Sequence, residues 1–124
     1  MKLLDTTVAI DHLRRRQPAM TLVEELAATD DLHASELVRF ELLAGARDDE
    51  AKAIDTFCVA VEWVPVSTDV AKVGGVLARR YRASHGGIAD IDYLIAATAI
   101  LLDADLLTTN VRHFPMLEGL APAY

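Results

Sequence analysis

The chain lacks most of the side-chain chemistry on which other protein classes depend. It has a single cysteine, Cys58, so it forms no internal disulfide and no paired-cysteine zinc site. Cys58 stands among Phe57, Val59 and Val61 and reads as a small buried hydrophobe. No apolar run approaches the roughly 18 residues that a membrane span needs. An acid as early as Asp5 does not fit a secretory leader. A cytoplasmic protein with no membrane contact is expected. His12, His33, His85 and His113 are dispersed, without His-Glu-x-x-His spacing, and neither Gly-x-x-x-x-Gly-Lys nor Gly-x-Gly-x-x-Gly occurs. These absences exclude helix-borne zinc hydrolysis and the two commonest phosphate loops. Positive charge is also in deficit, with 12 Lys and Arg against 19 Asp and Glu, net −7. A general nucleic-acid binder gains affinity by neutralising phosphates. Nucleic-acid contact must therefore come from local basic patches plus bound cations, unless the acidic surface serves a basic protein partner.

What the chain does have is apolar mass. Hydrophobic residues make up 52% of 124 positions and mean hydropathy is +0.24, which suits one well-buried domain over residues 1–124. Elements alternate along it. Lys2 to Leu4 reads as a strand, followed by a helix from about Thr7 that ends before Pro18. Met20 to Ala28 is amphipathic through Leu22, Val23 and Leu26, and Leu32 to Ala34 is a short strand. Ser35 caps a helix that runs to Gly45, and Asp49 to Ala60 forms another. Glu62 to Val66 is a β run whose Pro65 marks a sheet edge. Ser67 caps a helix carrying Val70, Val73, Leu77 and Tyr81; Gly74-Gly75 within it permits close helix packing, and Gly86-Gly87 then breaks the chain. Asp90 opens a helix apolar on nearly all sides through Leu102, hence central and buried. Leu106 to Thr109 is a strand, Val111 to Leu117 a short helix, and Leu120 to Ala123 a possible last strand. Strands separated by helices predict an α/β fold with a mostly parallel sheet. Ligands of such sheets bind beyond the carboxyl ends of strands, where Asp5 and Asn110 fall.

Three acids stand at positions that invite a shared role. Asp5 follows the first strand and reads equally as a helix N-cap or as a ligand. Glu41 has Leu37, Val38, Ala44 and Gly45 as helical neighbours. A carboxylate on that apolar stripe is costly unless paired, coordinated or protonated. Glu24 and Glu25, by contrast, face water. Asp90 and Asp92 lie in the first turn of the buried helix, where the macrodipole favours acids. Capping accounts for Asp90; Asp92, read at the second helical position, is the better ligand. Scattered carboxylates of this kind suit a hard, oxygen-seeking Mg²⁺ or Mn²⁺ ion. Such an ion acidifies water and stabilises charge on a phosphoryl oxygen, so no side-chain nucleophile is required. Arg14-Arg15-Arg16 and Arg79-Arg80-Arg82 each end a predicted helix. Cations complement the dipole there, and the same residues are the candidates for contact with an RNA backbone.

In order along the chain, Leu3-Leu4-Asp5-Thr6-Thr7, Glu36 to Gly45 with Glu41 inside it, Asp92 to Ala99, and Leu107-Thr108-Thr109-Asn110 with Phe114 match four motifs. The sequence thus resembles, over essentially its whole length, the PIN-domain ribonucleases of the VapC toxin type. The resemblance implies a three-layer α/β/α sandwich around a sheet of four to five strands. It further implies Mg²⁺- or Mn²⁺-dependent RNA cleavage, homodimerisation, and inhibition by a cognate VapB-type antitoxin. By motif position Asp5, Glu41 and Asp92 are the core metal ligands and Asp90 an added acid at the rim. Asn110 takes a place that is often Asp in the family, so it orients water but adds no charge. A response-regulator receiver needs a lysine after a late strand, but only Lys2, Lys52 and Lys72 exist. A haloacid-dehalogenase-like phosphatase needs Asp-x-Asp, and Thr7 stands where its second acid belongs. The alternative that keeps the fold is a catalytically inactive PIN-like dimeric binding module. Retention of Asp5, Glu41 and Asp92 argues against it.

Overall fold

Apolar segments of only three residues become strands here because helices cover both of their faces. The computed structural model describes all residues, Met1–Tyr124. Strands β1 (Lys2–Leu4), β2 (His33–Ser35), β3 (Glu62–Val64) and β4 (Asp105–Leu107) form one sheet in the order β3-β2-β1-β4. All three pairings are parallel, with Leu3 opposite both His33 and Leu106.

Helices α1 (Thr6–Leu13), α2 (Ala19–Ala28), α3 (Glu36–Ala44) and α4 (Ala51–Ala60) carry the chain from β1 to β2 to β3. Helices α5 (Thr68–Tyr81) and α6 (Asp90–Leu102) then return it across the sheet to β4, on the other side of β1. Crossovers between parallel strands are right-handed. Steps in opposite directions therefore place α1–α4 on one face and α5–α6 on the other, giving the expected three layers. The direction reverses between β1 and β4, so the switch point lies at their carboxyl ends.

Local chemistry sets the element ends. The Ser35 hydroxyl accepts the Leu37 N–H (3.1 Å) and the Ser67 hydroxyl accepts the Val70 N–H (3.1 Å), as N-caps should. β3 is an edge strand, as Pro65 indicates, and Trp63 on it packs under the Arg39 guanidinium, 4.3 Å from the ring centroid. The core spans both helical layers; Leu3, Leu4, Val8, Val38, Tyr93 and Ile95 are all fully buried.

Four features differ from expectation. Leu120 to Ala123 forms no strand, so the sheet has four strands, the lower of the two expected counts. Pro122 has no N–H to donate, and only the Ala123 N–H reaches the sheet end, donating to the Thr108 carbonyl at 2.8 Å. The short helix expected at 111–117 is a single 3₁₀ turn, Val111–His113. Helix α6 is buried through Ala99, but Ile100, Leu101 and Leu102 emerge into solvent. Cys58 is half-buried rather than buried, beside Arg39, and its carbonyl accepts the Trp63 indole N–H at 3.0 Å.

The two glycines of α5 have opposite surroundings. A Cβ on Gly74 would lie 2.8 Å from Leu94 Cδ2, whereas one on Gly75 would meet nothing within 4 Å. Gly74 is thus the close-packing residue of the α5–α6 contact. Gly74→Val should destabilise the fold by about 1–3 kcal/mol through overpacking. Gly75→Ala should stabilise it by up to about 1 kcal/mol through helix propensity. Urea unfolding of the two variants beside the parent checks both signs.

Candidate active site

The site grows from the seam between β1 and β4. The Asp5 N–H donates to the Leu107 carbonyl (2.9 Å), fixing the first residue past β1 against the end of β4. There Asp5 is the N-cap residue of α1 by position, but its carboxylate makes no capping bond. It turns instead to hydroxyls. Asp5 Oδ2 accepts from Thr108 Oγ1 at 2.7 Å and from Thr7 Oγ1 at 3.3 Å. The same two hydroxyls receive the backbone N–H groups of Asn110 (3.0 Å) and Thr109 (3.2 Å). Two threonine pairs, Thr6-Thr7 and Thr108-Thr109, thus line the ends of adjacent strands. Their spacing in the sequence held this signal, legible once those strands are known to be neighbours.

Asp5 is only 4% exposed. Burial pushes its carboxyl above the ordinary range, and the charge of Asp92 adds to that shift against the opposing hydrogen bonds, that from Thr108 first. Glu41 is half-buried on α3, where Thr6 Oγ1 donates to Oε1 at 2.6 Å. Its carboxyl is also raised, first by burial and then by the charges of Asp5 and Asp92, with Thr6 opposing. Asp92 occupies the third position of α6 rather than the second. Its Oδ2 accepts from the Ala89 N–H (3.3 Å) and lies 3.0 Å from His113 Nδ1. Asp5, Glu41 and Asp92 therefore share one electrostatic field, although they come from three different segments.

The other predicted residues divide. Asp90 does not join the cluster: its carboxylate is 84% exposed and pairs with Arg82 at 2.6 Å. Asn110 lies beside the seam and bonds Thr108 through its backbone. Arg14, Arg15 and Arg16 are exposed just past α1. A rise of about 1.5 Å per residue over that helix separates them from Asp5, and Arg16 also pairs with Asp11 at 3.4 Å. Arg79 and Arg80 are exposed in the last turn of α5, beside the Arg82–Asp90 pair at the mouth of α6. His113 was not anticipated. Nothing in its sequence spacing points to Asp92, since the 3₁₀ turn that delivers it follows from the path of the chain after β4.

The donor set suits a hard divalent cation, being three carboxylates with oxygen-bearing neighbours. Each acid has one oxygen engaged and the other without a protein hydrogen bond: Asp5 Oδ1, Glu41 Oε2 and Asp92 Oδ1. No three of these groups meet at a single ion position in this arrangement of side chains. Without an ion the cluster costs stability. A carboxyl whose pKa is raised by folding favours the folded state below its unfolded value, near 3.8 for Asp5, and loses that contribution as pH rises through its folded value. Asp5→Asn, measured in chelator, should therefore raise the melting temperature at pH 7. The gap to the parent should close as pH falls toward 3.8. A thermal melt series against pH tests this; a lower Tm for the variant at pH 7 contradicts it.

Residues 2–118 match the PIN domain family model. Over 125 aligned residues, covering all of both chains, the sequence is 61% identical to Ribonuclease VapC19 of Mycobacterium tuberculosis. It is 37% identical to Ribonuclease VapC10 of the same organism, across all of this chain and 93% of the other. Among solved structures it superposes on a chain of DNA-bound VapBC from Salmonella typhimurium with TM-score 0.82 and 18% identity, covering 98% of this chain and 95% of that one. A chain of VapBC2 from Rickettsia felis, bound to a promoter DNA fragment, gives 0.81 and 23%, covering 98% and 96%. The chain belongs to the PIN-domain family, in the branch that holds the VapC proteins.

Proposed function

We propose that this protein is a metal-dependent endoribonuclease and the toxin of a toxin–antitoxin pair. The observation that carries the reading is the acid cluster at the switch point, with one oxygen of each carboxylate held and one left over. A buried, mutually repelling cluster opposes folding, which a binding module without chemistry has no reason to retain. The relatives named as ribonucleases support the choice of RNA as substrate. The VapBC complexes among the structural neighbours support an antitoxin as partner.

Asp5, Glu41 and Asp92 would hold Mg²⁺ or Mn²⁺. An ion held there supplies a Lewis acid for the scissile phosphate and lowers the pKa of water. The chain's own residues do the positioning. Thr108 and Thr7 keep Asp5 facing the seam, Thr6 tethers Glu41, and Asn110 offers an uncharged amide at the rim. Asp90 lies at the entrance, where it restrains Arg82. Arg79 and Arg80, which make no ion pair within the chain, offer contacts for the RNA backbone. Arg14 and Arg15 are a more distant second contact. Homodimerisation belongs to the same reading, and exposed Phe40, Leu43, Ile100 and Leu101 are apolar surface available to it.

Three tests bear on this. Asp5→Ala, Glu41→Ala and Asp92→Ala should each abolish cleavage of RNA in Mn²⁺ and relieve growth arrest on induced expression. Full activity in all three would sink the assignment. Arg80→Ala should weaken RNA binding and reduce the slope of log affinity against log salt by about 0.7, the value for one single-strand phosphate contact. Arg14→Ala should do less, because Arg14 lies a helix length from Asp5. Mn²⁺ affinity should fall as pH drops through the raised carboxyl range of Asp5 and Glu41, since protons and metal compete for the same oxygens. Calorimetric titration at several pH values reads that directly.

A further inference from the structure

We infer that His113 is a positioning residue for the acid cluster, holding Asp92 so that only one of its oxygens is available as a ligand. The inference rests on the metal-site reading above and adds to it a group that none of the acid motifs contains. His113 Nδ1 lies 3.0 Å from Asp92 Oδ2. A carboxylate offers only acceptors, so the hydrogen between them belongs to the imidazole, which donates from Nδ1. The Ala89 N–H, at the start of α6, donates to the same oxygen at 3.3 Å. Both protein bonds converge on Oδ2, and Oδ1 has none.

The two donors restrain different motions. The backbone N–H of Ala89 ties the carboxylate to its own helix, as any acid at a third helical position is tied. His113 ties it to the β4 side of the seam, across 21 residues of chain. It is therefore the cross-link that sets the rotation of Asp92 relative to Asp5 and Glu41. The side chains are only partly exposed, 37% for His113 and 16% for Asp92, so the bond is partly shielded from competing water.

The backbone under His113 is fixed independently of that bond. Its N–H donates to the Asn110 carbonyl (3.1 Å), and the next N–H, of Phe114, donates to the Val111 carbonyl (3.0 Å). The Phe114 ring is 1% exposed and anchors the turn in the core. The imidazole thus projects from a rigid support onto a ligand, which is how an outer partner tunes a metal site.

The test is Mn²⁺ titration of the full chain by calorimetry, without RNA, for the parent, His113→Asn and His113→Leu. The asparagine amide nitrogen falls near the place of Nδ1 and restores a donor; leucine fills similar space without one. His113→Leu should weaken Mn²⁺ binding about tenfold or more, with His113→Asn within about threefold of the parent, as expected for loss and retention of an outer hydrogen bond. Circular dichroism and melting in chelator establish that each variant is folded. If leucine at 113 prevents folding, His113→Ala takes its place in the comparison. Equal affinity for the parent and the donor-less variant overturns the inference. So does an equal loss in both variants, because the donor is then irrelevant. Failure of the parent itself to bind Mn²⁺ overturns the metal-site reading and this inference with it. The two failures are therefore distinguishable.

Discussion

The site depends on one hydrogen bond, from Thr108 Oγ1 to Asp5 Oδ2 at 2.7 Å. A carboxylate this deeply buried needs donors, and its own helix provides no capping bond. The donors come from Thr7 beside it and from the end of a strand that arrives 103 residues later. Pairing of β1 with β4 is therefore more than a rung of the sheet. It converts Asp5 from an unsatisfied buried acid into a supported one. Glu41 and Asp92 follow the same pattern, each leaning on a side chain from another segment: Thr6 for the first, His113 for the second.

That pattern explains an electrostatic contradiction in the molecule. The protein is acidic overall, and its most deeply set acids repel one another. A polyanion approaching them meets the wrong sign of charge. The basic residues are few, and one of them, Arg82, is already paired with Asp90. A divalent cation resolves both difficulties, relieving the repulsion among the carboxylates and inverting the local field seen by phosphate. The free oxygens of Asp5, Glu41 and Asp92 are consistent with that role.

Much of the architecture was legible in the residues, because helix periodicity, capping serines and the edge-marking Pro65 all describe local physics. Three-residue strands were placed to within a residue or two by their apolar content. The tail at Leu120 to Ala123 forms no strand, because apolar content says nothing of whether Pro122 leaves enough donors for a ladder. For the site, Glu41 stood out as an acid among apolar neighbours, and Asp5 by its place after a strand. Asp92 needed its helix start to be set to the residue, and the count was off by one. The separation of Asp90 from the cluster was invisible, since only the fold reveals that Arg82 lies opposite it. His113 and the paired threonines were invisible for a related reason. Their importance is relational, fixed by which strand ends become neighbours, and no single segment records that.

The order of the strands has a consequence for synthesis. β1 is made first and its sheet partner β4 last among the strands, with Asp5 waiting for Thr108 throughout. A nascent chain that has not yet released residue 108 from the ribosome holds all three acids but cannot close the seam that supports the first of them. Its central strand has β2 on one side and nothing on the other. Assembly of the site is thus deferred by topology until the segment that carries Thr108 has been made. The acid cluster stays unassembled in any nascent chain that still lacks that segment.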